Sequence, residues 1–289
     1  MRYCKYLSSE HSKEVAGGGT PLARYALVEK RNGVLWATLP MQAPQEDLTS
    51  RLAGTLPLPS LAPGFNPAPL SDLHLLPPVT PSKIVCVGRN YREHANELGN
   101  EIPKEPLLFL KPPSSLLGSR GVICMPAISQ RVDYEGELGI VIGRRCRNLG
   151  PDEDVRPYIR GYVCVNDITA RDIQKSDGQW TRGKGFDTFC PTGPIVSDEI
   201  DPCGFESTPG RPVTVITRVN GAVKQQGTTR DLIFPIPELL RYITSFLTLE
   251  PGDLIPTGTP AGVAAVQPGD RIQVEIDGLG VLENECARE

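Results

Sequence analysis

Alternation of apolar and polar residues is the strongest pattern in the chain and predicts a mostly β protein. The clearest case is the segment Arg131–Gly143, in which each even position is apolar or glycine. A period of two is typical of a β-strand with one buried face. The odd positions include three carboxylates, Asp133, Glu135 and Glu137. We therefore expect one strand here, with an apolar face and an acidic face.

Turn signals and one helical pattern complete the expected secondary structure. The dipeptides Asn32-Gly33 and Asn220-Gly221 each separate two alternating segments, and such dipeptides favour two-residue hairpin turns. Residues Ile236–Leu249 place apolar side chains at helical spacing, which predicts an amphipathic helix. Short apolar strands are expected at Lys83–Val87 and Gly161–Asn166. The pattern as a whole predicts the α+β class, dominated by β-structure.

Composition along the chain suggests three parts. Glycines at positions 17–19 indicate a flexible leader over residues 1–21, and crowded prolines between 40 and 81 indicate a small N-terminal domain with its linker over residues 22–80. The longer apolar strands follow, so residues 81–289 are expected to form the main domain. A chain of 289 residues is long enough for one large and one small domain.

Net charge and the positions of the cysteines limit the expected binding partners and the expected cellular location. A net charge of −4 gives no reason to expect nucleic acid or an anionic membrane as partner. No apolar run approaches the roughly 20 residues that span a bilayer, and the N-terminus lacks the apolar core of a signal peptide. Cys86, Cys124 and Cys164 lie within apolar runs, which favours buried thiols and a cytoplasmic location. Three histidines without a Cys-x-x-Cys pair argue against zinc.

Acidic residues provide the first candidate site. On one face of a strand, Glu135 and Glu137 would lie about 7 Å apart and could both reach a single cation. Without a positive charge between them they would repel, and one would tend to protonate. Asp167 follows the predicted strand Gly161–Asn166 and could either cap the next turn or supply a third ligand. A solvated acidic strand face is the alternative interpretation.

Two further groups have the spacing expected of catalytic side chains. His94 and Glu97 are three apart in a segment of helical composition, so Glu97 could orient His94 as a proton acceptor. A surface ion pair is the alternative. Lys184 lies between two glycines, which would let the backbone approach a ligand closely while the ammonium contacts an anion. The alternative is that Lys184 is an exposed lysine in a loop.

Substrate contacts are expected from two more segments. Arg171 and Gln174 are three apart and would share one side of a helical turn. The loop Thr257–Gly262, which contains Thr259, can offer backbone N–H groups and hydroxyls to a carboxylate.

Four motifs follow one another along the chain. They are Val87-Gly88-Arg89-Asn90-Tyr91 with His94 and Glu97, Glu135-Gly136-Glu137-Leu138-Gly139, Asn166-Asp167-Ile168-Thr169-Ala170-Arg171-Asp172, and Thr257-Gly258-Thr259-Pro260. In this order they resemble the fumarylacetoacetate hydrolase superfamily, with agreement from about Lys83 to Val281. The resemblance is greatest to the group of acylpyruvases, oxaloacetate decarboxylases and oxaloacetate tautomerases.

This resemblance implies a mixed β-sheet roll, a divalent cation and a homodimer. It implies that the metal ligands are Glu135, Glu137 and Asp167, that His94 and Glu97 form a catalytic dyad, and that Arg171, Gln174, Lys184 and Thr259 contact substrate. Three oxygen ligands without imidazole or thiolate favour Mg²⁺ or Mn²⁺, with Ca²⁺ as a further candidate.

The expected activity is cleavage of a C–C bond in a short 2-oxo or 1,3-dicarbonyl acid through a metal-bound enolate. Hydrolysis of an acylpyruvate and decarboxylation of oxaloacetate both fit, with His94 activating water and Lys184 holding negative charge. Keto–enol tautomerisation on the same site is the first alternative. A non-catalytic module that binds a dicarboxylate is the second.

Overall fold

The structure is a computed structural model that describes residues 1–7, 23–41, 43–44, 65–97, 102–205 and 208–289. Its strands, numbered in chain order, are β1 (Arg2–Leu7), β2 (Ala23–Arg31), β3 (Val34–Met41), β4 (Ala68–Pro69), β5 (His74–Leu76), β6 (Ile84–Gly88), β7 (Leu107–Lys111), β8 (Leu116–Leu117), β9 (Val122–Met125), β10 (Val132–Asp133), β11 (Gly136–Ile142), β12 (Ile159–Asn166), β13 (Thr169–Ala170), β14 (Cys190–Ser197), β15 (Gly204–Phe205), β16 (Thr208–Pro209), β17 (Thr214–Val219), β18 (Ala222–Thr228), β19 (Leu254–Pro256), β20 (Arg271–Ile276) and β21 (Gly280–Arg288).

Helices are few and short in the described part of the chain. The α-helices are α1 (Arg92–Glu97), α2 (Arg171–Asp177), α3 (Thr181–Lys184) and α4 (Ile236–Phe246). Single 3₁₀ turns lie at Leu70–Asp72, Pro113–Ser115, Arg156–Tyr158 and Thr229–Asp231.

Two sheets contain most of the strands in the described residues. Twelve strands form the larger sheet, with β4-β3-β2-β1-β14-β12-β11-β19-β6-β7 as its main path; β5 also pairs with β1, and β8 with β14. Five strands form the second sheet in the order β18-β17-β20-β21-β9. Most pairs are antiparallel, but β6 runs parallel to β19, β8 to β14 and β9 to β21. The expected α+β fold with mixed sheets is confirmed.

The leader expected over residues 1–21 is wrong at its start, because Arg2–Leu7 forms β1 inside the large sheet, paired with β2, β5 and β14. Tyr3 and Cys4 are buried, and the energy of burying such side chains fixes the strand. Residues 8–22 lie outside the described part. Strands from both sides of residue 80 share this sheet, and a domain boundary there stays a prediction.

Both predicted hairpin turns and the amphipathic helix are confirmed. Asn32 and Gly33 have φ of 49° and 85°, and Asn220 and Gly221 have φ of 51° and 81°. Positive φ at both central residues is what a type I′ turn requires. Helix α4 ends at Phe246, three residues before the predicted end, and packs its apolar face into the core.

The strand predicted over Arg131–Gly143 is two strands instead of one. Val132–Asp133 forms β10 and pairs with β13, while β11 starts at Gly136 between β12 and β19. The intervening backbone leaves the ladder, since the N–H of Glu135 donates to Oδ1 of Asn166 at 3.0 Å. Both faces of β11 are buried, so the solvated acidic face is excluded.

Strand β11 packs against a different hydrophobic core on each of its two faces. Leu138 and its even-numbered neighbours belong to the core formed with β17 and β20. Val141 lies on the opposite face, in a second core with β12 and β19. A Cβ on Gly136 would lie 2.0 Å from Oγ1 of Thr217, so only glycine allows the two sheets to approach this closely.

The described residues contain no helix whose length and apolar character would suit it to spanning a bilayer. The eight cysteines all lie in the described ranges and are free thiols, with Cys86 and Cys164 buried and Cys124 partly exposed.

We expect Gly136→Ala to destabilise the protein by about 1–3 kcal/mol, because the new methyl group overpacks the contact between the sheets. Gly150→Ala is the matched control, since a Cβ there meets nothing closer than 3.9 Å. Free energies of unfolding from urea denaturation would check this. Equal stability of the two variants would contradict the packing argument.

Candidate active site

Three buried carboxylates meet where β11 begins and β12 ends. The antiparallel register pairs Gly136 with Asn166, which places Glu135 and Glu137 beside Asp167. One oxygen from each of these three side chains lies within 4.8 Å of the other two. The N–H of Asp167 donates to the carbonyl of Glu135 at 2.8 Å and locks the two strand ends together. Oxygen ligands in this arrangement could hold a hard metal cation.

Two cationic side chains lie against Glu135. The ammonium of Lys184, on α3, donates to Oε2 of Glu135 at 2.8 Å and to Oδ2 of Asp167 at 2.6 Å. The guanidinium of Arg171, on α2, donates to Oε1 of Glu135 and to Oδ2 of Asp133, the latter at 2.8 Å. These charge-assisted contacts hold Glu135 from both sides.

Lys111 is a third buried cation, at the end of β7. Its Nζ lies 2.8 Å from Oδ1 of Asp167 and donates to the carbonyls of Ile168, Phe189 and Lys184. Although Nζ of Lys111 is close to Oδ1 of Asp167, this oxygen has no hydrogen-bond partner of good geometry among the described residues. The hydrogen bonds of Lys111 go to the three carbonyls instead. Lys111 therefore stabilises Asp167 mainly by charge, while it fixes three backbone segments around the site.

The charges around the cluster are uneven. Burial raises the pKa of Glu135, but the positive charges of Lys184 and Arg171 outweigh it and hold that pKa below its ordinary value. Burial and the negative charges of Asp167 and Glu135 raise the pKa of Glu137 well above its ordinary value. Negative charge is thus uncompensated at Glu137, and a cation between the three carboxylates would relieve it. The residues present therefore fit a divalent metal ion.

Backbone around Glu137 is held by Asn90, which directly follows the loop residue Arg89. The side chain of Asn90 donates to the carbonyl of Thr257 at 2.9 Å and accepts from the N–H of Phe234 at 2.8 Å. Next to Thr257, the N–H of Gly258 donates to Oε2 of Glu137 at 2.8 Å. The φ of Gly258 is +100°, a value that favours glycine.

Thr259 contacts the start of β11 directly. Its hydroxyl donates to the carbonyl of Gly136 at 2.9 Å and accepts from Nε2 of Gln225 at 2.8 Å. Oε1 of Gln225 in turn accepts from the N–H of Gly136 at 3.0 Å. The two side chains therefore keep the carbonyl and N–H of this buried glycine paired.

His94 and Glu97 share helix α1, as the three-residue spacing predicted. Nδ1 of His94 lies 3.4 Å from Oε2 of Glu97. Both carboxylate oxygens of Glu97 accept from the N–H of Gly262 at 3.1 Å, and the carbonyl of Gly262 accepts from the hydroxyl of Tyr134. His94 is buried, 4% exposed, so the alternative of a surface ion pair does not apply to the imidazole.

A cavity of about 340 Å³ brings together eight of the nine residues singled out from the sequence. Glu97 does not line it but lies behind His94. Gln174 lies in the wall and accepts from Nη1 of Arg171 at 2.7 Å. A larger cavity of about 560 Å³, between the N-terminal strands and β20–β21, contains none of the nine. The eight in the smaller cavity are His94, Glu135, Glu137, Asp167, Arg171, Gln174, Lys184 and Thr259.

Comparison with known proteins agrees with this arrangement. The sequence model of the fumarylacetoacetate (FAA) hydrolase C-terminal family matches residues 83–287, which contain all three carboxylates and the dyad. The chain belongs to the fumarylacetoacetate hydrolase family.

Relatives in this family include named enzymes. The chain is 41% identical over 228 residues to the oxaloacetate tautomerase YisK of Bacillus subtilis, covering 75% of each chain. It is 47% identical over 206 residues to the mitochondrial oxaloacetate decarboxylase of Dictyostelium discoideum, covering 69% of this chain and 91% of the relative. The crystal structure of a 5-carboxymethyl-2-hydroxymuconate delta-isomerase from Mycobacterium smegmatis superposes with a TM-score of 0.78 at 33% identity, over the whole of both chains.

Two residues at the family site escaped the sequence analysis. Lys111 directly follows the apolar residues 107–110 and precedes two prolines, and a lysine at the end of an apolar run was the available signal. Gln225 gave no signal, because it lies among polar residues of β18 and its partners are more than thirty positions away.

Lys111→Met should lower the free energy of unfolding by about 3 kcal/mol, because it leaves buried carbonyls and Asp167 without their cation. Lys83→Met is a suitable control, since Lys83 also pairs with an aspartate, Asp253, but its side chain is 23% exposed. Denaturant titration of both variants is the measurement. A loss no larger in Lys111→Met than in Lys83→Met would contradict this structural role.

Proposed function

We propose that the protein is a divalent-metal-dependent enzyme that cleaves a C–C bond of a short 2-oxo acid, either by hydrolysing an acylpyruvate or by decarboxylating oxaloacetate. The observation that carries this proposal is the meeting of three buried carboxylates in one cavity with a buried histidine that has its own carboxylate partner. The names of relatives that act on oxaloacetate support the substrate class.

Glu135, Glu137 and Asp167 would hold the metal ion. Their oxygen-only donor set favours Mg²⁺ or Mn²⁺, with Ca²⁺ as a further candidate. The chemistry that such an ion supplies is stabilisation of the negative charge that develops on the keto oxygen of a 2-oxo acid.

The remaining residues would bind the substrate and move a proton. Lys184 and Arg171 carry positive charge within the cavity wall, where it can also stabilise an anionic substrate. With Nδ1 of His94 directed at Glu97, Nε2 is left to take a proton from water in hydrolysis or to transfer one in tautomerisation. Thr259 lines the same cavity. Because its hydroxyl donates to the carbonyl of Gly136, it would contact the substrate carboxylate through its backbone N–H.

Tautomerisation of oxaloacetate is the second candidate function, favoured by the similarity to the tautomerase of Bacillus subtilis. A non-catalytic module that binds dicarboxylates is less consistent with the site, because a binder has no use for a buried His94–Glu97 pair. The homodimer implied by the family resemblance remains a prediction.

A substrate panel would test the proposal directly. Oxaloacetate, acetylpyruvate and fumarylpyruvate would each be assayed with Mg²⁺ and with a chelator. Following pyruvate release beside the absorbance of the enol separates C–C cleavage from tautomerisation. We expect pyruvate to be released and the chelator to abolish this release. Loss of enol absorbance without pyruvate release would favour the tautomerase. Absence of turnover with all three acids would contradict the proposal that the protein is an enzyme.

Glu137→Gln should abolish the metal-dependent activity and leave the fold intact. We also expect Mg²⁺ to raise the melting temperature of the wild type, by an amount equivalent to about 2.7 kcal/mol at a hundred times the dissociation constant, but not that of the variant. Glu275→Gln, at a partly exposed partner of Arg218, is the control and should keep both properties. Wild-type rates in Glu137→Gln would contradict its assignment as a ligand.

His94→Gln should reduce kcat by about 10²–10⁴-fold, the usual contribution of a general acid–base group, with little change in the affinity for substrate. Glu97→Ala should act in the same direction but less strongly, because it removes only the orienting partner. Steady-state kinetics would check both, with the exposed His74 replaced by Gln as control. Unchanged kcat in His94→Gln would contradict the assignment of His94 as the acid–base group.

A further inference from the structure

Two cations of the active-site cavity have no carboxylate partner among the described residues. Arg89, Arg171, Lys175 and Lys184 all line this cavity. Arg171 and Lys184 are paired with Glu135. Across the ranges that the structure describes, Arg89 and Lys175 form no ion pair. A cation that lines a cavity without an internal counter-charge is available to an anion bound there.

Arg89 is held in place by its backbone and by an aromatic ring. It directly follows β6 with φ of +55°, an unusual value for a residue with a side chain. Its guanidinium carbon lies 5.9 Å from the ring centroid of Trp180, within the range of a cation–π contact. A Cβ on the preceding Gly88 would lie 2.7 Å from Trp180, so this glycine allows the ring to lie against the loop.

An aromatic wall formed by Trp180 and Phe109 connects Arg89 with the three carboxylates of the candidate metal site. The rings of Trp180 and Phe109 are 5.2 Å apart, and Nζ of Lys184 lies 4.9 Å from the centroid of Phe109. Lys184 in turn contacts Glu135 and Asp167. The wall therefore has a paired cation, Lys184, at its inner end and Arg89, which forms no ion pair within the described ranges, at its outer end.

We propose that Arg89, assisted by Lys175, forms an anion subsite that binds the far carboxylate of a dianionic 2-oxo acid. This inference rests on the proposed function, which places the 2-oxo carboxylate and keto oxygen at the inner end. The guanidinium offers paired N–H donors that match both oxygens of a carboxylate. Lys175, on α2, also lines the cavity and adds positive charge but is exposed.

The subsite selects the substrate class. At about 340 Å³ the cavity lies near the lower end of the roughly 300–1,000 Å³ found for small-molecule pockets, which suits a small acid. A monoanionic acid with an apolar tail would leave Arg89 unpaired. A dianion of the oxaloacetate type would instead be bound by opposite charges at both of its ends.

Two acids with the same four-carbon chain provide the test. Oxaloacetate and 2-oxobutyrate differ by a carboxylate in place of a methyl group, and their dissociation constants would be measured in the presence of Mg²⁺ by stopped-flow quenching of tryptophan fluorescence, which records binding before turnover. The wild type should prefer oxaloacetate. Arg89→Gln should reduce this preference by about tenfold or more without weakening 2-oxobutyrate, and the KM for oxaloacetate should rise while kcat changes little.

Three further variants separate charge from folding. Arg89→Lys should retain part of the preference, because it keeps the charge but not the paired donors. Lys175→Gln, on an exposed side chain, should reduce the preference less than Arg89→Gln. Arg144→Gln is the matched control, since Arg144 also lies over an aromatic ring, at 5.3 Å from Tyr158, but outside this cavity; it should change nothing.

The outcomes distinguish this inference from the function on which it rests. Equal binding of the two acids by the wild type, or equal weakening of both by Arg89→Gln, would overturn the subsite and leave the 2-oxo acid site intact. Failure of both acids to bind in the presence of Mg²⁺ would overturn the proposed function and the subsite together.

Discussion

The burial of three like charges at one point is the constraint on which the rest of this structure depends. Glu135, Glu137 and Asp167 repel one another in a region from which water is largely excluded. Lys111 and Lys184 offset part of this repulsion. Because they come from β7 and α3, the same ion pairs that make the cluster tolerable also tie distant segments to the strand ends. Site and fold are therefore stabilised by the same contacts.

The positive side chains compensate the three carboxylates unequally. Glu135 is in contact with both Arg171 and Lys184, whereas Glu137 contacts a backbone N–H of the Thr257–Pro260 loop. An ionised Glu137 therefore has the least compensation by positive side chains, whereas cations line the wall that runs from Lys184 to Arg89. Under the proposed function, a metal ion would bind beside Glu137 and the negative charges of an acid would lie along the wall of cations, so that a bound substrate would have one orientation.

Local rules explain why part of this structure was predictable. The turn at Asn32-Gly33 and the pairing of His94 with Glu97 each depend on residues within four positions, where backbone geometry fixes the distances. The buried even face of β11 follows from the period of two. The family motifs added what spacing alone left open, namely that Asp167 joins Glu135 and Glu137; the structure places the three together, while their role as ligands remains a proposal.

The sequence by itself determined the mostly β class, the turns, the helix α4 and the residue types available for chemistry, since these depend on periodicity and on near neighbours. Only the tertiary structure decided that Arg2–Leu7 is a sheet strand, that the acidic segment breaks at Glu135, and that Lys111 and Gln225 support the site. Each of these depends on contacts between positions far apart in the chain. Such contacts arise from packing and charge compensation after folding, and no local pattern of residues encodes them.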